Sequence, residues 1–197
     1  LEARVADLVW RLTLEEKAMA LNHVGPTLER FNLRADQWNQ CLNGVQWTGR
    51  ATTMFPICVG MAATWNTTLV KEITTAISDE ARAIYNGWHL DPNAPGQHKG
   101  LIYRDPVINI GRNPYWGRNH EAFGEDPFLT GRMTVAYVQG LHGDDPKFLK
   151  LASTLKHYAV NNVEAGRQSL NAVVSERMMQ EFWLPHFRDG IVEARAR

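Results

Sequence analysis

The chain has 197 residues, with 21 basic and 21 acidic side chains and no formal net charge. That balance argues against a basic nucleic-acid-binding face, and 44% hydrophobic with 21% charged residues is the mix of a globular chain, not a disordered one. No apolar run approaches the roughly 18–20 residues of a membrane helix, and Leu1-Glu2-Ala3-Arg4 shows neither a leader core nor an initiator Met, as expected of a processed or cut start.

Residues 2–11 read as an amphipathic helix with Val5, Leu8 and Val9 on one side. Thr13-Leu14-Glu15-Glu16 has capping-box form, so a second helix should run to about Leu21. Residues 22–53 lack periodicity and read as irregular, with one short helix near 35–42. Residues 54–62 are apolar and suggest a buried strand, kept short by Pro56. Asn66 should cap a helix to about Tyr85, with Leu69, Ile73, Ile77, Ala81 and Ile84 inward. Asn66-Thr67-Thr68 is also a glycosylation sequon, but capping already accounts for the Asn.

Residues 86–99 form a turn-rich loop, followed by strand-like Leu101-Ile102-Tyr103 and Val107-Ile108-Asn109-Ile110. Asp126-Pro127 marks a helix start, with Leu129, Met133, Ala136, Tyr137 and Leu141 inward. Residues 149–156 read as another strand. Ser175 should cap a last helix to about Ala194 that buries Met179, Phe182, Trp183 and Phe187 and kinks at Pro185. Strand-like and helix-like segments alternate, which predicts an α/β fold with a mainly parallel sheet.

In such sheets ligands bind at the C-terminal strand ends. Two charged clusters follow predicted strands there: residues 111–121, and Lys156-His157. In a regular strand, neighbouring side chains face opposite ways. Lys156 and His157 are then a surface Lys beside a core His, unless the backbone departs from regularity and both reach one ligand. Arg112 can clamp a hydroxyl or carboxylate with its planar fork, or pair with Glu121, Glu125 or Asp126. Arg118 fits the stapling role better. Cys41 and Cys58 make no disulfide framework, and the histidines show no zinc spacing. Cys41 has no evident base nearby in sequence, so it reads as a buried, inert thiol rather than a nucleophile. The seven Trp and five Tyr suit a core more often than a sugar platform.

Several segments, in order and spacing, carry a resemblance. They are Arg11-Leu12-Thr13-Leu14-Glu15-Glu16-Lys17, Trp38 to Val45, Phe55-Pro56, Ala62 to Asn66 and Asp79 to Ala83. Asn109 to Pro127, with Trp116-Gly117-Arg118 and Gly124-Glu125-Asp126-Pro127, then Lys156-His157 and Val174 to Arg177, complete the set. Together they resemble the N-terminal part of glycoside hydrolase family 3, the β-glucosidase and β-xylosidase family.

The resemblance implies a partial (β/α)8 TIM-type barrel, with residues 1–197 forming the incomplete N-terminal portion of one catalytic domain. It implies retaining hydrolysis of terminal non-reducing β-D-glucosyl or β-D-xylosyl residues without a cofactor. A small saccharide would be the partner, with no nucleic acid or membrane, and a periplasmic or secreted setting is favoured. Arg112, Lys156 and His157 match positions that grip the sugar. Gln40 stands where the family carries a carboxylate, and Asn43 where it often has His. The family's Asp nucleophile and its acid/base are expected beyond Arg197, since Asp105, Glu121 and Glu164 match neither position. The chain is also shorter than the roughly 250 residues of a full barrel. The chain alone is therefore expected to be inactive; the alternative is a non-catalytic sugar-binding or purely structural fragment.

Overall fold

The computed structural model describes residues 2–21, 25–33, 38–46, 48–91, 93 and 100–196. The chain divides into two compact units, Leu1–Gln37 and Trp38–Arg197.

In the first unit, α1 (Glu2–Arg11) and α2 (Leu14–Ala20) follow the predicted boundaries. The Thr13 hydroxyl accepts from the Glu16 N–H at 3.1 Å, and Glu16 accepts from the Thr13 N–H at 2.8 Å, so the capping box closes in both directions. Arg30 ion-pairs with Glu16 and donates to the Arg11 carbonyl, joining the end of α1 to the start of α2. Of the three apolar positions expected inward, Leu8 is half-buried, while Val5 and Val9 are exposed.

The second unit packs helices against a small parallel sheet. Strands β1 (Ile102–Tyr103) and β2 (Ala152–Ser153) pair in parallel, with Ile102 opposite Ala152 and Tyr103 opposite Ser153. Asn39 extends the ladder beside Tyr103, and Val107 bridges in parallel to Lys156. The sheet is far shorter than the predicted strands. Pro106 interrupts the ladder between β1 and Val107 because it has no N–H to donate. From the predicted strand at 107–110, Val107 makes the one bridge among the described residues, with the Ile108 N–H donating to the Lys156 carbonyl at 2.8 Å.

Residues 54–62 depart from prediction: α3 spans Cys58–Ala62. Cys58, Met61 and Ala62 are buried at i, i+3 and i+4, which is one helix face. A short apolar run fits either period, and packing decides. The predicted helix at 35–42 is not formed over 38–42, and residues 35–37 lie outside the described residues.

Helix α4 (Thr67–Leu90) is capped by the Asn66 side chain, which accepts from the Leu69 N–H. It runs five residues past Tyr85, so residues 86–90 are helical and not part of a loop. Buried Trp88 continues the face of Ile77 and Ala81 and anchors that extra turn. Helix α5 (Pro127–His142) begins as predicted, with the Asp126 side chain accepting from the Leu129 N–H at 2.6 Å.

Helices α4 and α5 approach closely at Gly140, whose carbonyl accepts from Ser78 Oγ at 3.0 Å. A Cβ at Gly140 would collide with Thr74 Oγ1 and the Lys71 carbonyl. The core under these helices is one cluster that includes Met61, Ile77, Ile108, Phe123, Tyr137 and Leu151.

The last predicted helix is broken in three. Ser175 caps α6 (Glu176–Met178), a π-turn spans Met179–Trp183, and α7 covers Pro185–Val192. The Leu184 N–H reaches back five residues to the Met179 carbonyl at 3.0 Å. Pro185 cannot donate to the turn before it, which places the break at Leu184. Trp183 and Phe187 are buried, and Met179 and Phe182 are half-buried.

Candidate functional site

Parallel pairing brings the C-terminal ends of three extended segments to one side. Gln40 follows Asn39, Arg104 follows Tyr103, and Thr154 follows Ser153. These three residues, with Lys156 and His157, line an open cleft of about 450 Å³. That size suits a small ligand.

The Lys156–His157 peptide is cis, and both side chains line this cleft. The sequence left open whether the pair shares one cavity, and in the structure it does. Lys156 Nζ lies 3.4 Å from Asp105 Oδ1. Asp105 is fully buried, and its Oδ2 accepts from the Cys41 N–H at 2.6 Å. Burial pushes the Asp105 carboxyl up to about 6, against the pull of Lys156.

His157 is clamped by Asn109. Asn109 Oδ1 lies 2.7 Å from the His157 N–H and 3.0 Å from Nδ1. On the other side, Arg118 Nη1 is 3.2 Å from His157 Nε2. A guanidinium only donates, so Nε2 accepts and Nδ1 carries the proton toward Asn109. Burial first, then the Arg118 and Lys156 charges, lower the imidazole pKa to about 4. The ring is therefore neutral near pH 7.

Arg118 also forks onto Glu121, with contacts of 2.7 and 2.6 Å. Burial alone would raise the Glu121 carboxyl, but Arg118 outweighs it and holds the group below the usual range. Glu164 accepts from Trp116 Nε1 and from Arg167 Nη1, both at 3.1 Å, tying the 111–121 loop to the segment after His157. Arg167 lines the cleft as well. At its mouth the Arg104 guanidinium stacks 4.0 Å over the Trp38 ring.

Of the four predicted site residues, the cleft gathers Gln40, Lys156 and His157. Arg112 is exposed and lines a separate depression, with its guanidinium 5.6 Å from the Trp183 ring centroid. Among the described residues it makes no ion pair with Glu121, Glu125 or Asp126. Arg118 lines the cleft instead, and it staples Glu121 while it does so. Arg104 was findable as the residue directly after β1. Arg167 was not, because nothing local places a loop residue over a strand end.

Cys41 and Cys58 are fully buried, and burial raises both thiols well above the ordinary range, which fits an inert role. Trp88, Trp116 and Trp183 are buried, while Trp38 lines the cleft. Among the described residues no cluster could hold a metal ion, and no helix is long and apolar enough to cross a membrane.

Residues 27–197 match the family described as "Glycosyl hydrolase family 3 N terminal domain". A xylan 1,4-β-xylosidase of Xylanibacter ruminicola is 39% identical over 199 residues, covering 98% of this chain and 23% of the relative. The fold superposes on a GH3 exo-β-xylosidase solved in complex with a xylobiose aziridine activity-based probe, with TM-score 0.83 and 29% identity over 99% of this chain and 26% of that one. It superposes on β-glucosidase 3B from Thermotoga neapolitana in complex with α-D-glucose with TM-score 0.80 and 25% identity, covering 98% and 28%. The chain spans about a quarter of the length of the curated relatives it matches.

Proposed function

The chain belongs to glycoside hydrolase family 3, and from that membership we propose that it is the sugar-gripping part of a retaining exo-β-glycosidase. The substrate is a terminal β-D-xylosyl unit, with β-D-glucosyl as the runner-up. The xylosidase relatives support this order. The observation that carries the reading is the convergence of Gln40, Lys156, His157 and Arg118 on one cleft at the C-terminal strand ends.

Each side chain has a distinct part. Lys156 and Arg118 donate to sugar hydroxyls. Neutral His157 keeps its Nε2 lone pair on Arg118 Nη1 and so orients that guanidinium at the cleft. The Gln40 amide both accepts and donates, a weaker acceptor than a carboxylate. Arg118 takes the clamp expected of Arg112.

Retaining hydrolysis needs two carboxyl groups roughly 5–5.5 Å apart across the scissile bond. Among the described residues no carboxyl lines this cleft, and those beside it are engaged: Asp105 is buried, Glu121 is locked by Arg118, and Glu164 is held by Trp116 and Arg167. On the family reading, the nucleophile and acid/base come from other parts of the polypeptide, which complete the barrel. No cofactor is needed for this chemistry.

Full-length protein assayed on aryl β-xyloside and aryl β-glucoside tests the reading. Turnover with retention, and none by the 197-residue chain alone, is the expected result. Sugar binding by full-length protein without turnover would replace it with a non-catalytic binding module. Turnover by the isolated chain would overturn the division of roles.

A further inference from the structure

Asp105 lies under the cleft without lining it, and it joins two parts of the site. Its Oδ2 accepts from the Cys41 N–H at 2.6 Å, directly after Gln40. Its Oδ1 meets no hydrogen bond among the described residues and has the Lys156 ammonium 3.4 Å away. Its own carbonyl accepts from Ser153 Oγ at 2.8 Å, which fixes the backbone to β2. A fully buried carboxylate is strongly disfavoured unless a cation faces it. The Lys156 side chain is only 12% exposed. Lys156 thus has two demands on its three N–H groups: the carboxylate below and the ligand above.

We propose that Asp105 is a positioning residue for sugar binding: its ionised carboxylate sets the Lys156 ammonium and the Gln40–Cys41 backbone in mutual register, and protonation loosens the grip on the terminal sugar. This rests on the cleft being the sugar site. Asp105 touches no substrate and is neither nucleophile nor acid/base.

Protonation falls in an accessible range, because burial places the Asp105 carboxyl at about 6. Its neighbours titrate elsewhere. From the 38–46 segment and α3, the Cys41 and Cys58 thiols are pushed up and stay neutral. Tyr103 on β1 and Tyr137 on α5 are pushed up as well. From the 111–121 loop, Arg118 stays cationic and Glu121 ionised. His157 stays neutral down to about 4. Near pH 6, Asp105 is the group among these that changes charge.

The test uses the full-length enzyme and xylose as a competitive inhibitor, since xylose itself does not ionise there. The inhibition constant and KM for the aryl xyloside should rise as pH falls through about 6, with kcat moving less. Asp105→Asn should raise both constants at pH 8 by about tenfold, the scale of one charge-assisted contact, and should remove the limb near 6. A purely structural role would lower the melting temperature and leave the limb in place. A flat wild-type profile overturns the inference without any variant, which covers a variant that fails to fold. A limb that persists in folded Asp105→Asn overturns it too. Absence of both turnover and sugar binding at every pH would instead refute the proposed function, and this inference with it.

Discussion

Asn109 holds His157 from three directions. Its side-chain carbonyl faces the His157 backbone N–H at 2.7 Å and Nδ1 at 3.0 Å, and its amide donates to the His157 carbonyl at 3.2 Å. One residue thereby sets the position, ring orientation and tautomer of the imidazole.

Asn109→Asp should therefore change His157 more than the fold. A carboxylate beside Nδ1 favours the imidazolium, so the titration near 4 should move upward. Histidine NMR resonances followed against pH would report it. Asn109→Ala should lower kcat/KM on the aryl xyloside about 10-fold or more, as a lost orienting partner does. An unmoved titration in Asn109→Asp would remove Asn109 from this role.

Arg118 and Arg112 should separate cleanly. Arg118→Lys keeps the charge but loses the fork onto Glu121 and the reach to His157. KM should rise about tenfold or more, on the scale of the lost charge-assisted contacts. Arg112→Ala, at the separate depression, should change KM less than about twofold, as surface substitutions do. The reverse ranking would restore Arg112 as the clamp.

Gly140→Ala should destabilise the protein by roughly 1–3 kcal/mol, because the new methyl meets Thr74 and the Lys71 carbonyl of α4. Gly87→Ala is the control. A Cβ there meets nothing within 4 Å, so helix propensity should stabilise by about 0.5–1 kcal/mol. Denaturant unfolding measures both, and equal effects would mean that the helices yield at Gly140.

His186 gives a pH-dependent stability. The ring is fully buried, neither nitrogen has a partner among the described residues, and burial lowers its pKa to about 4. The unfolded imidazole takes up a proton near 6.5, while the folded one resists until about 4. The unfolded state thus binds more protons in that window, and stability falls as pH drops through it. His157 acts in the same direction, and Asp105, with a raised value, in the opposite one. His186→Leu leaves both in place and removes one contribution. Its melting temperature should exceed wild type by more at pH 5 than at pH 8. An equal difference at both would refute the buried neutral imidazole.

What the sequence revealed was local. Thr13 with Glu16, Asn66, Asp126 and Ser175 all cap the helices they were expected to cap, because a cap is decided within four residues. Cys58 to Ala62 were misassigned because five apolar residues satisfy either period until a core chooses. The family resemblance set Lys156 and His157 on one sugar, but strand alternation alone left open whether both face one cleft. The choice between Arg112 and Arg118 was invisible locally. It depends on Glu121 and on His157, and His157 lies 39 residues away from Arg118 in sequence.

The two sulfhydryls under the cleft offer an internal clock. Cys41 follows Gln40, and Cys58 donates to the Leu42 carbonyl from the opposite side at 3.8 Å. Both are sealed from solvent. An alkylating reagent can reach them only when this floor opens. The pace of their labelling, with and without a sugar above them, therefore measures how firmly an occupied cleft stays shut.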